Sequence, residues 1–275
     1  MSWERNIVLK SPQEIAVMRQ AGRINALALK AVREMIRPGV TTAELDAVAE
    51  EVIRKHGAIP TFKGYPGPYP YPATICASVN EELVHGIPGK RKLQAGEIIS
   101  IDCGSTFEGF VGDAAFTVGV GEISPEARRL IEVTEQALYE GIRQMRAGKR
   151  VGDVSAAIQK YVESYGFHVT REYTGHGVGR QMHEGPQVPN YGIAGRGMIL
   201  RPGMTIALEP MVLIGSPQTR VRADQWTVAA ANGKPTGHFE HTVAITENGP
   251  RILTLLADGT APVGVLRDLK GLPVA

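Results

Sequence analysis

The chain has 275 residues, 43% of them hydrophobic, and a formal net charge of +2. That is enough apolar sequence for a large core, as one domain or two fused halves, and it excludes a disordered polyelectrolyte. The only two cysteines, Cys76 and Cys103, form neither a zinc pattern nor a disulfide framework, which fits a reducing cytoplasm.

In chain order, Met-Ser-Trp-Glu-Arg-Asn at the start lacks the basic and then apolar regions of a signal peptide. Ser11-Pro12-Gln13-Glu14 combines a capping box with proline at the first helical position and opens a helix to about Met35. Thr41-Thr42-Ala43-Glu44 opens a second, to about Lys55. Residues 61–72 read as a Pro/Gly/Tyr loop, and strands follow near 73–79, 97–103 and 112–119. Ser124-Pro125 opens a third helix, to about Met145, and Asp153 a fourth, to about Tyr165. Further strands are expected near 169–174, 204–214 and 240–247, with coil from Ala257 onward. The most apolar late stretch, 198–215, is broken by Arg201 and Glu209, so no membrane span is expected. Helix pairs followed by hairpins, twice, predict an α+β fold with helices covering an antiparallel sheet.

Two of those strands carry acids. Ile98 to Asp102 and Val111 to Val118 are β-type runs joined through Thr106-Phe107-Glu108-Gly109, a turn sequence. A turn centred between Phe107 and Glu108 places Asp102 opposite Asp113 on one face of the sheet. Two like charges there are unfavourable unless cations lie between them, and such carboxylates suit a pair of metal ions roughly 3.5–4 Å apart.

The arrangement recurs. Leu93-Gln94-Ala95-Gly96 and Leu200-Arg201-Pro202-Gly203 each precede an apolar strand whose acid, Asp102 or Glu209, falls six residues after the glycine. Asp113 and Glu240 each open an apolar strand in the same way. Arg37 to Gly57 aligns with Arg146 to Gly166 at an offset of 109, matching Leu45, Ala47, Val52 and Ile53 with Val154, Ala156, Tyr161 and Val162. A duplicated unit too long for a solenoid repeat follows, with halves of about 12–120 and 121–250 related by a pseudo-twofold axis. Chance similarity of amphipathic helices is the plainer alternative.

His176 lies in Gly175-His176-Gly177-Val178-Gly179, where glycines allow close backbone approach. A phosphate cradle would need a strand, a terminal Lys-Ser/Thr or a Rossmann acid, and none is present. With four acids elsewhere, His176 reads as a metal ligand. One imidazole among carboxylates favours manganese, iron or cobalt over the thiolate-rich sets of structural zinc, although zinc remains compatible.

Asp102, Asp113, the Gly175 to Gly179 segment, Glu209-Pro210 and Glu240-His241-Thr242 resemble type I methionine aminopeptidases. So do His85 in Val84-His85-Gly86-Ile87-Pro88 and His183 in Met182-His183-Glu184-Gly185-Pro186. The match runs from about residue 8 to 255. The resemblance implies the pita-bread fold, two divalent metal ions (Co, Mn, Fe or Zn) and removal of initiator methionine ahead of a small second residue. It implies that Asp102, Asp113 and Glu240 hold one ion and that His176 and Glu209 complete the other, with Asp113 and Glu240 bridging. The ions would activate a bridging water. Glu209 would also shuttle the proton, and His183 would stabilise the developing oxyanion, a role worth about 2.7–4 kcal/mol in comparable sites. His85 would contact the nitrogen of the second residue, while Tyr71, Cys76 and Trp226 would form the methionine pocket, sulfur and aromatic groups being good partners for a thioether.

The chain departs from the family pattern at Met182, Gly104 and His238, where phenylalanine, threonine and glutamine are common. His238 reads as a solvent-side residue, with a contact near the metals as its alternative; His56, His168 and His241 read as structural. Only 30 residues separate Glu209 from Glu240, which leaves no room for the insert of type II enzymes. The N-terminus carries no zinc-finger or Pro-rich extension, which points to a minimal type I form. Lys90-Arg91-Lys92 could meet ribosomal RNA, but a solvated turn is the preferred reading. A cytoplasmic monomer acting on nascent chains, with no membrane or DNA partner, is expected. The rivals are an Xaa-Pro peptidase, which would carry an additional N-terminal domain, and a non-catalytic pita-bread binding protein, which would lack ligands this chain keeps.

Overall fold

A computed structural model describes residues 7–262. Helix α1 (Pro12–Met35) starts at a capping box in which Ser11 and Glu14 satisfy each other's backbone N–H groups. Thr41 and Glu44 start α2 (Thr42–Lys55) in the same way. Short strands β1 (Ile59–Pro60), β2 (Ile75–Val79) and β3 (Glu82–Val84) precede the long hairpin of β4 (Ile98–Phe107) and β5 (Phe110–Gly119). A second helix pair follows, α3 (Pro125–Gln144) and α4 (Val151–Ser164). Asp153 does not open α4 as expected: Arg150 is the N-cap, and Asp153, three residues into the helix, accepts the Arg150 backbone N–H at 2.8 Å.

The remaining strands are β6 (Phe167–Val169), β7 (Thr174–Gly177), β8 (Glu184–Pro189), β9 (Thr205–Leu208) and β10 (Met211–Ile214), then β11 (Thr219–Val221), β12 (Val228–Ala230), β13 (Thr236–His238), β14 (Glu240–Thr246) and β15 (Gly249–Ile252). The main sheet runs β1-β4-β5-β14-β9-β7-β8, with β2 also on β4 and β15 also on β14. Two three-stranded sheets, β13-β10-β6 and β11-β12-β3, complete the α+β architecture, which is the pita-bread arrangement of helix pairs on an antiparallel sheet.

Alternation along the strands decides which face carries chemistry. Ile99, Ile101 and Cys103 of β4 and Ala114, Phe116 and Val118 of β5 pack into one core with apolar residues from all four helices. The intervening Asp102 and Asp113 therefore face the other side. A Cβ on Gly22 would lie 2.3 Å from the Leu253 carbonyl oxygen, and one on Gly112 would lie 2.5 Å from the Gly22 nitrogen, so glycines allow α1 to rest backbone against backbone on the sheet. Asn25 locks that contact by donating to the Cys103 and Gly112 carbonyls at 2.5 and 3.2 Å.

Three expectations about the strands need correcting. The strand expected near 169–174 is two short strands, β6 ending at Val169 and β7 beginning at Thr174. The β4–β5 turn is centred one residue later than expected, at Glu108-Gly109, whose φ values of 48° and 77° are those of a two-residue hairpin turn. Asp102 thus pairs with Ala115, and Asp113 with Gly104. The shift of two residues leaves both carboxylates on the same face, as diagonal neighbours. The single strand expected over 204–214 is two strands: Pro210 has no N–H to give, and the chain leaves the main sheet after β9 for the small one containing β10. Described coil runs from Ala257 to Pro262; the rest of the expected tail and the first six residues lie outside the described range.

Candidate metal centre

All ten residues singled out in the sequence line one cavity of about 130 Å³. Asp102, Asp113, His176, Glu209 and Glu240 lie together there, with His85, His183, Tyr71, Cys76 and Trp226 around them. Asp102 comes from the middle of β4 and Asp113 from β5. Glu209 follows the end of β9, Glu240 opens β14, and His176 sits in β7, which pairs with β9. Five neighbouring strands of one sheet, β4-β5-β14-β9-β7, thus supply one polar group each, Glu209 from just past the end of its strand.

The electrostatics are those of a site built for positive charge. Asp113 and Glu240 are almost fully buried, and Asp102 and Glu209 are only partly open. Burial pushes all four carboxyl groups well above the usual carboxylate range, and the charges of neighbouring acids add to the shift at Asp102, Asp113 and Glu240. A side-chain hydrogen bond between Asp113 and Glu240 raises the Glu240 carboxyl further and offsets part of the rise at Asp113. Even so, Asp102 Oδ1, Asp113 Oδ1 and Glu240 Oε1 are buried without a hydrogen-bond partner among the described residues. Such oxygens cost about 1–3 kcal/mol each unless something satisfies them.

A divalent cation fits this need. Ligand atoms of Asp113, His176 and Glu240 lie within 4.8 Å of one another. His176 Nε2 is 3.8 Å from Asp113 Oδ2 and 3.5 Å from Glu209 Oε1. Its Nδ1 lies 2.9 Å from the Gly177 carbonyl, which can only accept, so Nδ1 carries the hydrogen and Nε2 keeps its lone pair for a metal. Burial depresses the His176 pKa to about 3, which keeps that lone pair available at neutral pH.

The walls differ in character from the carboxylate cluster. Tyr71 donates through Oη to the Gly86 carbonyl at 2.9 Å and to Ile75 at 3.1 Å, and its ring meets Trp226 edge to face at 5.1 Å. Burial raises the pKa of the Cys76 thiol, so it remains a neutral, soft sulfur. His85 is a non-glycine residue at φ 60°, a left-handed conformation that holds its ring between Tyr173 and Trp226. Burial, with His238 and His183 nearby, lowers its pKa to about 4.

Sequence reasoning misplaced one residue and missed others. His238 is not solvent-side: it is 1% exposed, its Nε2 lies 3.5 Å from Glu209 Oε2, and neither ring nitrogen has a hydrogen-bond partner among the described residues. It ends β13, two residues before Glu240, and shares the side of the cavity acids. Phe62, Tyr65 and Met182 also line the cavity. The aromatic content of 61–72 was the available signal for the first two, but a Pro/Gly-rich segment reads as surface loop. His56 and His241 are structural: each holds a local partner through Nδ1, Val52 O and Thr254 Oγ1, both at 2.8 Å.

With this geometry in hand, relatives can be compared. "Methionine aminopeptidase 1" of Bacillus subtilis is 52% identical over 248 residues, covering 90% of this chain and 99% of the relative. The crystal structure of a methionine aminopeptidase from Thermotoga maritima superposes with a TM-score of 0.88 at 47% identity, covering 90% of this chain and 99% of that one. Prolidase from Pyrococcus furiosus shares the fold at a TM-score of 0.74 and 24% identity; 90% of this chain matches 65% of that longer one. Metallopeptidase family M24 matches residues 16–247, and the chain belongs to that family.

Proposed function

We propose that the protein is a type I methionine aminopeptidase that removes the N-terminal methionine of peptides and nascent chains when the second residue is small. The observation that carries the reading is the convergence of four buried carboxyl groups and His176 beside an aromatic, sulfur-bearing wall in one small cavity. Two divalent ions per chain, Mn, Fe, Co or Zn, are proposed. Asp102, Asp113 and Glu240 would hold one, and His176 and Glu209 would complete the other through the shared Asp113 and Glu240. When bound, the ions would supply the positive charge that acidifies water and polarises a carbonyl.

The chain's own groups then divide the work. The Glu209 carboxylate takes a proton from the attacking water and passes it to the leaving amine. His183 donates to the oxygen that gains negative charge. His85, kept neutral by burial, meets the nitrogen of the second residue. Tyr71, Cys76 and Trp226 enclose the methionine side chain, where sulfur and ring edges favour a thioether.

The wider reading is a cytoplasmic monomer; the buried, unbridged Cys76 and Cys103 fit a reducing compartment, and among the described residues no helix is long and apolar enough to cross a membrane. Lys90, Arg91 and Lys92 are exposed, but Arg91 is paired with Glu97 at 2.8 Å, which favours a solvated turn over a ribosomal contact. A duplication into halves of about 12–120 and 121–250 is supported by the sheet order. There β5 and β14 are central neighbours, β4 and β9 flank them, and each flanking pair carries a helix pair and two acids.

The test is to incubate the metal-loaded protein with Met-Ala-Ser and with Xaa-Pro peptides, beside Glu209→Gln. Methionine release by the wild type and its loss in the variant are expected. Preference for Xaa-Pro, or equal rates in the variant, would overturn the assignment.

A further inference from the structure

Tyr65 lies outside every role assigned so far, yet its hydroxyl Oη is 2.5 Å from His183 Nδ1. The two rings meet edge to face at 5.4 Å with 68° between their planes. Both ends of this bond are held. Around Tyr65 the loop closes on itself: Gly64 N–H donates to the Tyr71 carbonyl, Tyr65 N–H to Phe62 and Tyr71 N–H to Tyr65, at 2.8–2.9 Å. Gly67 lies against Trp226, where a Cβ would be 2.3 Å from ring carbon Cζ2. On the other side the Glu184 carboxylate accepts the Gln181 N–H at 3.1 Å and is ion-paired with buried Lys10, which fixes the segment carrying His183.

A neutral imidazole carries one hydrogen, and only a nitrogen that bears it can donate. Nδ1 is the sole hydrogen-bond partner of Tyr65 Oη among the described residues, so the phenol hydrogen has one protein acceptor to go to. If it goes there, Nδ1 is the accepting nitrogen and the hydrogen of His183 sits on Nε2. We propose that Tyr65 is a positioning residue that fixes His183 in the Nε2–H tautomer, so that His183 presents a donor to the oxygen that becomes negative in the reaction. The inference rests on the oxyanion role of His183 given under Proposed function. The logic parallels the way a histidine's other ring nitrogen, once engaged, dictates what the first can do. Loss of the correct tautomer alone is costly in enzymes that depend on it.

The test reads the tautomer directly and needs no substrate. In ¹⁵N-histidine-labelled full-length protein, long-range ¹H–¹⁵N spectra, with His183 assigned by its loss in His183→Asn, are expected to show a protonated Nε2 and an unprotonated Nδ1. Tyr65→Phe, which keeps the ring, should give a mixture of tautomers. In the metal-loaded enzyme it should lower kcat by roughly tenfold or more while KM stays within about twofold, the pattern of an interaction made in the transition state. Tyr69→Phe is the control for loop loosening, because Tyr69 Oη donates to the Asp224 carbonyl at 2.8 Å in the same loop; it should leave the His183 spectrum unchanged. An Nδ1–H tautomer in the wild type, an unchanged tautomer in Tyr65→Phe, or the same shift in Tyr69→Phe would each overturn the proposal. A tautomer shift without loss of kcat would overturn its catalytic part. If the wild type released no methionine at all, the functional reading would fail on that measurement, while the tautomer assignment would still be decided by the spectra.

Discussion

Asp102 and Asp113 are held by a hairpin that is regular from Ile98↔Gly119 to Phe107↔Phe110, closed by a two-residue turn. Glu209 and Glu240 come from strands that pair just as directly, His241↔Leu208 to Ala244↔Thr205, but between them the chain leaves the sheet to form β10 to β13 and to bring in Trp226. Each pair contains one deeply buried acid, Asp113 or Glu240, and one partly open acid, Asp102 or Glu209. The difference lies in what surrounds the open one. Glu209 has an imidazole 3.5 Å from each oxygen, His176 at Oε1 and His238 at Oε2. Among the described residues, the hairpin half surrounds its open acid without an imidazole at this distance, whereas the interrupted half places the acid proposed to shuttle protons between two.

The comparison would be broken most severely by Asp113→Asn. It should weaken divalent-metal binding by at least roughly a hundredfold, beyond the 10–100-fold typical of residues that only orient a ligand. At pH values where the acids ionise, it should also raise the melting temperature of the metal-free protein, because it removes one of the buried like charges. Calorimetric titration and thermal scans with and without metal read both effects; a metal-free variant less stable than wild type would refute the charge argument.

Proton linkage gives the next effect. The four carboxyl groups have raised folded-state pKa values, so their contribution to stability is present below the unfolded values of 3.8–4.5 and is lost as pH rises through the folded ones. His85 and His176, lowered to about 4 and 3, act oppositely: their contribution is present above 6.5 and is lost as pH falls. Above pH 6.5 only the carboxyl slope remains. The metal-free protein should therefore lose stability as pH rises above 6.5 while these acids are still titrating, metal affinity should rise with it, and loading should release protons. Calorimetry in buffers of different ionisation enthalpy measures that release, and its absence would mean the acids are already ionised.

His238→Ala probes the interrupted half alone. A fall in kcat of about tenfold is expected if the imidazole steadies Glu209, with little change in overall stability; full activity would leave His238 as filler. The smallest effect belongs to the hairpin turn. Gly109→Ala, at φ 77°, should cost about 1–2 kcal/mol of stability and leave kcat of the folded, metal-loaded enzyme unchanged, as denaturant titration beside steady-state kinetics would show.

Much of this was legible in the chain. Capping signals located α1, α2 and α3, because N-cap chemistry is local, and the acid-bearing strands were readable from alternation and glycine spacing. The carboxylates could be assigned to one face even though the turn was centred one residue early, since a two-residue shift preserves the face. What escaped depended on breaks and on distant neighbours. Pro210 divides an apparently continuous strand, His238 sits in a short strand that was not expected, and nothing near Tyr65 in sequence announces a partner 118 residues away. Local periodicity carries no information about which loop folds over which strand.

The central claim is that these ten residues form one metal-dependent centre for releasing N-terminal methionine. Titrating chelator-treated protein with Mn²⁺ or Co²⁺ while following methionine release from Met-Ala-Ser tests it most directly. The account predicts no release without metal, full rate by two equivalents per chain and no cleavage of an Xaa-Pro peptide under the same conditions. Release that is indifferent to metal, or that favours the Xaa-Pro peptide, would contradict it.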